Sequence, residues 1–260
     1  MTGRRGRFYI LVLQAALLLA PAAATAAEMR VAVASNFADA MAAIARRFEA
    51  ATQHRVTVSA GSTGKLYAQI RNGAPFDAFF GADVRRPQLL EQEGSAVPGS
   101  RFTYAVGRLV LWSPRPDYVD PHGRVLQRGA FRHLAIANPV LAPYGKAAQE
   151  VLQARSLWEA LSGRLVRGEN IGQTFQFVST GNAELGFVAW SQVMRPGQPL
   201  AGSLWSVPQA LYSRIEQQAG MLSLQARELL QDKPVARDFL AFVRSDEALK
   251  IIQDYGYDRP

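Results

Sequence analysis

The run Ser59-Ala-Gly-Ser-Thr-Gly-Lys-Leu-Tyr-Ala-Gln-Ile70 sets hydroxyls and flexible glycines between a β-branched stretch, Val56-Thr57-Val58, and a segment with apolar residues at Leu66, Tyr67 and Ile70. The later spacing is helical, so the run reads as strand, donor-rich loop, helix start. A helix begins with backbone N–H groups that have no intrahelical partner and with a partial positive charge. Ser62 and Thr63 add hydroxyls beside them, while Gly61 and Gly64 allow close approach, which is the chemistry of an anion cradle. The competing reading is an ordinary N-cap that serves only its own helix. Repetition favours the cradle. Met29-Arg-Val-Ala-Val-Ala34 alternates like a strand and runs into Ser35-Asn36, followed by Phe37, Met41, Ile44, Ala45 and Phe48 at helical spacing, with Ser35 or Asn36 as the expected cap. Leu134-Ala-Ile-Ala137 leads through a loop ending in Pro143-Tyr-Gly145 to a helix expected over 146 to 152, and Glu169-Asn-Ile-Gly-Gln-Thr174 opens another that runs to Val178. Tyr144 either joins that loop's polar groups or packs over the core.

Other chemistries find little support. His54, His122 and His133 have no zinc-ligand spacing, no G-x-S-x-G elbow occurs, and Gly61-Ser-Thr-Gly-Lys65 lacks the spacer of a Walker loop. Ser62 and Lys65 could be drawn as the pair of an exported Ser/Lys hydrolase, but a first-turn lysine is expected to be solvated rather than desolvated as such a base must be. Asp83 reads as an N-cap and Glu184 as a surface or lobe-bridging salt link. The chain has no cysteine, which excludes disulfides, thiolate metal sites, a cysteine nucleophile and a lipidated cysteine.

The elements that hold these loops follow one plan. Met29–Ala34, Arg55–Ser59 and Asp77–Phe80 read as strands, each with a helix after it, the second helix closed at Asn72-Gly73 and the third spanning 84 to 93. Three such units point to an α/β architecture with a mostly parallel sheet flanked by helices. Tyr104–Trp112 reads as one β-rich run, Arg164–Val166 and the segment after Gly181 as further strands, and Trp205–Tyr212 as the start of a returning β segment. Helices are expected over 225–230, 234–243 and 245–254.

The N-terminus carries Arg4, Arg5 and Arg7, an apolar run from Phe8 to about Ala20, and the small residues of Ala22–Ala27. That is the pattern of a signal peptide over 1–27. The formal charge is +8, and without the three leader arginines 26 basic residues face 21 acidic ones, a scattered +5. Arg46-Arg47 and Arg85-Arg86 read as solvated helix faces, so no nucleic-acid partner is expected.

Taken in order, Ala34-Ser-Asn-Phe37, Gly61 to Ile70, Gly73-Ala-Pro-Phe-Asp77, Ala142-Pro-Tyr-Gly-Lys146, Glu169-Asn-Ile-Gly-Gln173 and Glu184-Leu-Gly-Phe-Val188 resemble the periplasmic molybdate-binding proteins of molybdate ABC transporters. The likeness runs from about Met29 to Tyr257. It implies a two-lobed type II periplasmic-binding-protein fold, with 28–106 and 209–260 forming one lobe, 107–208 the other, and two crossings between them. It also implies a periplasmic monomer, not an enzyme, that takes up molybdate or tungstate in the interlobe cleft without cofactor or metal-ion ligands and delivers it to permease membrane subunits. The family's contacts fall on Ser35, Asn36, Ser62, Thr63, Tyr144 and the backbone N–H of Ile171. A tyrosine that follows the G-x-V strand in some members is replaced here by Ala189-Trp190, which leaves Tyr144 to supply that hydroxyl. A fully deprotonated tetrahedral dianion needs donors only, whereas phosphate keeps a proton to donate. The alternative is a receptor of the same fold for another oxyanion or an organic acid.

Overall fold

The computed structural model describes residues 26–223 and 234–260, so nearly all of the leader and the helix expected over 225–230 lie outside the described residues. The chain opens with β1 (Glu28–Ala34), a 3-10 turn at Ser35–Phe37, α1 (Ala38–Thr52), β2 (Arg55–Gly61), α2 (Thr63–Arg71), β3 (Ala78–Gly81), α3 (Arg85–Gln92) and β4 (Phe102–Gly107). It continues through β5 (Leu109–Ser113), α4 (Val125–Arg128), β6 (Leu134–Ala137), α5 (Pro143–Ala154), α6 (Trp158–Leu161), β7 (Leu165–Gly168), α7 (Ile171–Ser179), β8 (Leu185–Ala189), α8 (Trp190–Val193) and β9 (Ser203–Ser206). It returns in β10 (Ile215–Met221), and α9 (Pro234–Val243) and α10 (Asp246–Asp254) follow.

Among the described residues the strands form two five-stranded sheets of the same pattern, β2-β1-β3-β10-β4 and β7-β6-β8-β5-β9. In each, the first three strands are parallel and the fourth is antiparallel. That fourth strand is the one by which the chain arrives from the other sheet: β5 directly after β4, and β10 after β9. The run Tyr104–Trp112, expected as one β segment, is thus two strands in two sheets, parted at Arg108. Unbroken β-formers hide the change of sheet, because nothing in their local preference records which neighbour they pair with. Strand β10 differs from expectation too. Glu216-Gln-Gln218 looks polar, yet Gln217 and Gln218 are buried in its centre.

Alternation along β1 sends Met29, Val31 and Val33 into a core shared with α1, α9 and α10, and Ala32 into a second core on the opposite face with Leu66, Ile70 and Leu90. Both faces are covered, as a parallel sheet requires. Phe37 locks the turn after β1 by packing on Tyr104 and Tyr257, with ring centroids 4.6 and 5.2 Å apart. In the second sheet Leu134 and Ile136 pack with Ala147, Ala148, Val151 and Leu152 of α5.

Helix α5 starts earlier than the spacing of its apolar residues suggested. Pro143 occupies its first turn, where the missing N–H costs nothing, so Tyr144 and Gly145 are helical rather than part of the loop. Gly145 lies so close to the end of β6 that a side chain there would overlap the Ala137 carbonyl. Gly145→Ala is therefore expected to destabilise the protein by about 1–3 kcal/mol, the usual cost of an overpacked backbone contact, as read from the midpoint of urea unfolding.

Candidate functional site

Parallel strands β1, β2, β6 and β7 point their carboxyl ends at one place, and the turns that follow them meet there, as ligand sites of open α/β sheets do. Ser35 and Asn36 come from the turn after β1, Ser62 and Thr63 from the start of α2, Tyr144 from the first turn of α5, and Asn170 and Ile171 from the start of α7. All line one small cavity together with Ala34, Gly61, Ala82, Ala142 and Pro143. The six residues singled out in the sequence are thus brought together, and among the described residues no charged side chain lines the cavity with them. The cavity's volume is about 10 Å³. Extended by a water radius to the atoms of the wall, that is a void of roughly 2.7 Å radius, room for one small ion and far below the size of a typical organic-ligand pocket.

The hydroxyls at this cavity share one property. Ser35 Oγ accepts from the Gly172 N–H at 3.2 Å, Ser62 Oγ from Lys65 N at 3.3 Å, Thr63 Oγ1 from Ala82 N at 3.1 Å, and Tyr144 Oη from Gln217 Nε2 at 3.3 Å. Each is used as an acceptor by the protein, and among the described residues none gives its proton to a protein atom. A hydroxyl has one donor and two acceptor positions, so each retains its proton for the cavity. The cap and cradle readings of Ser62 are therefore compatible: the same oxygen caps α2 through a lone pair and keeps its O–H.

Ser35 departs from expectation, because neither the 3-10 turn nor α1 has a side-chain cap. Its oxygen instead reaches across to the first turn of α7. Asn36 does not cap either. Its Nδ2 turns into the wall, donating to Gln217 Oε1 at 2.8 Å and to Tyr257 Oη at 3.0 Å. Ile171 is buried at the start of α7, whose N-cap Asn170 accepts from Gln173 N at 3.0 Å, while Gln192 Nε2 holds the Ile171 carbonyl at 3.1 Å. Asn170 was legible as an Asn directly before a helix, but Gln217, Tyr257, Ser191 and Gln192, which buttress the site, have no local signature.

At the rim the two halves touch. Lys65 Nζ pairs with Glu169 Oε2 at 2.9 Å, Gly64 N donates to the Leu141 carbonyl at 2.9 Å, and Arg86 Nη2 donates to the Val140 carbonyl at 2.9 Å. Arg86 is accordingly no solvated arginine: it also pairs with Asp83, whose Oδ1 accepts Arg86 N, close to the cap role expected of it. Lys65 is exposed and bound to Glu169, so Ser62 has no desolvated amine beside it to act as a base. Glu184 pairs with Arg132 at 3.1 Å beside the second sheet and does not bridge the halves.

The sequence over residues 29–258 matches the family described as bacterial extracellular solute-binding protein. The chain belongs to this family. It is 52% identical over 235 residues to the molybdate-binding protein ModA of Azotobacter vinelandii, covering 90% of this chain and 91% of that one. To ModA of Rhodobacter capsulatus it is 47% identical over 234 residues, covering 90% and 89%. Among solved structures, the Azotobacter vinelandii periplasmic molybdate-binding protein matches with a TM-score of 0.85 at 40% identity, covering 89% of this chain and 99% of that one. The two sheets with their helices are the two lobes of the periplasmic-binding-protein fold that the motifs implied.

In this solute-binding protein the tyrosines around the cavity are held neutral. Burial raises Tyr144 and Tyr104 well above the ordinary tyrosine range, with neighbouring tyrosines acting in the same direction, and burial likewise raises Tyr257. An acid whose pKa is raised by folding stabilises the native state below its unfolded pKa and loses that contribution as pH climbs. Stability is therefore expected to fall once the pH passes the ordinary tyrosine value of 10.0, and these three tyrosines should ionise only with unfolding. Ultraviolet titration of tyrosinate alongside circular dichroism checks this.

Proposed function

We propose that this protein captures molybdate, and tungstate with it, in the cavity between its lobes and presents the loaded form to the membrane subunits of an ABC transporter. The observation that carries the reading is the uncharged, carboxylate-free wall: four hydroxyls that each keep a proton for the cavity, set among helix N-termini. A tetrahedral dianion without a proton offers only acceptors, so every contact is satisfied in one direction. Hydrogen phosphate brings a donor, for which the wall offers no carboxylate and only the remaining lone pairs of its hydroxyls. Hydrogen bonds to a charged partner are worth about 1.5–3 kcal/mol each, so several of them offset the cost of removing a small anion from water without a counter-ion.

The cavity's small volume favours an inorganic ion over an organic acid, and the ModA relatives favour molybdate among ions of this shape. In this reading residues 28–106 and 209–260 form one lobe and 107–208 the other. The anion adds contacts from both at once, which favours the closed form over the open one. The leader carries the chain to the periplasm, where it acts as a monomer and without catalytic chemistry, binding through Ser35, Ser62, Thr63, Tyr144 and the backbone at Asn36 and Ile171.

Isothermal titration with molybdate, tungstate, sulfate, phosphate and a set of carboxylates tests the reading. Tight binding of molybdate and tungstate, with weak or absent binding of phosphate and carboxylates, is expected; sulfate binding as tight as molybdate binding would contradict the molybdate assignment. Ser35→Ala is expected to weaken molybdate binding by about 1–3 kcal/mol, because a donor to a charged acceptor is lost. Unchanged affinity would remove Ser35 from the site.

A further inference from the structure

Behind the cavity lies a buried set of side chains whose hydrogen-bond direction can be followed atom by atom. It starts at the Asn36 carbonyl, which can only accept, and which takes the Tyr257 hydroxyl at 2.7 Å and Ser191 Oγ at 3.1 Å. With its proton used there, Tyr257 Oη is the acceptor for Asn36 Nδ2, and this fixes which end of the Asn36 amide is nitrogen. That nitrogen also reaches Gln217 Oε1, which the Tyr104 hydroxyl approaches at 3.0 Å. The Asn36 nitrogen fixes the Gln217 amide as well, the single Tyr104 proton being shared between that oxygen and the Gly81 carbonyl at 3.2 Å, so Gln217 Nε2 faces Tyr144 Oη.

We propose that Gln217 is a positioning residue that keeps the Tyr144 hydroxyl proton directed at the bound anion, so that part of the site's donor-only character is set from outside the cavity. This rests on the oxyanion reading above. Gln217 is fully buried on β10, the strand that returns from the second sheet, and does not line the cavity. One amide thereby ties Asn36 and Tyr104 of the first lobe to Tyr144 of the second. The position needs an acceptor towards the Asn36 amide and a donor towards a hydroxyl, and a glutamine supplies both. Gly107 keeps the contact open, since a side chain there would overlap both Tyr144 Oη and Gln217 Nε2.

A glutamate of the same shape offers acceptors at both ends and draws the Tyr144 proton away from the anion. The titratable groups facing position 217 are Tyr104, Tyr144 and, through Asn36, Tyr257; Asp83 and Asp39 are the carboxylates whose fields reach Tyr104 and Tyr257. The experiment is calorimetric titration of wild type, Gln217→Glu, Tyr144→Phe and the double variant with sodium molybdate at about pH 5.5 and about pH 8. Each affinity is referred to wild type at the same pH, so that the anion's own protonation cancels. Gln217→Glu is expected to bind about tenfold or more weaker at the higher pH, and to recover at the lower one as the buried carboxyl regains a proton that it can donate as the amide did. Its deficit at the higher pH should shrink in the Tyr144→Phe background. A deficit independent of pH, or equal in both backgrounds, overturns the proposal, the second because the new charge would then act on the anion directly. If Gln217→Glu does not fold, Tyr144→Phe decides: about tenfold or more weaker binding supports the proposal, and unchanged affinity overturns it. Failure of the wild type to bind any anion of the panel overturns the functional reading instead.

Discussion

Burying a doubly charged anion away from water without a counter-charge is possible only where hydrogen donors converge on it and no lone pair opposes it. The cavity between the lobes is built to that constraint. Ser35, Ser62, Thr63 and Tyr144 each accept one protein N–H and, among the described residues, give their proton to no protein atom, which leaves four protons for whatever occupies the space. The N-termini of α2, α5 and α7 add partial positive charge without a cation. Lysine and arginine are close, but Lys65 is bound to Glu169 and Arg86 to Asp83 at the rim, so their charges are already paired.

The scaffold supplies this convergence twice. Each sheet places three parallel strands with their carboxyl ends towards the other lobe, and each receives an antiparallel strand from its neighbour. The crossing strand β10 therefore does more than join the halves. It carries Gln217 into the layer behind the cavity, where Asn36, Tyr104 and Tyr144 meet. Burial raises Tyr104, Tyr144 and Tyr257 further above their ordinary range, so this layer carries no negative charge that would repel the ligand even in alkaline solution.

Much of this was legible in the sequence because it is local. Strand, hydroxyl-bearing turn and helix follow one another within a dozen residues at Ser35 and again at Ser62, and periodicity with Gly and Pro punctuation marks such units. What was not legible is relational. Tyr104–Trp112 looks like one strand because β propensity does not register a change of sheet, and β10 escaped notice because its buried glutamines are polar in composition and Gln217 is satisfied by partners more than 70 positions away. Spacing offers Ser35 or Asn36 as the cap of α1, and Ser35 caps nothing on its own helix. Its acceptor capacity goes to Gly172 on α7 instead, a partner 137 residues distant that spacing cannot reveal.

A crystal structure of the protein grown with molybdate tests the central claim most directly, since it locates the heavy ion and every atom within hydrogen-bond distance of it. The account expects the ion between the lobes, touched only by the hydroxyls of Ser35, Ser62, Thr63 and Tyr144 and by backbone N–H groups at the helix starts. An ion held by the ammonium of Lys65 or the guanidinium of Arg86, or seated outside this cavity, would contradict it.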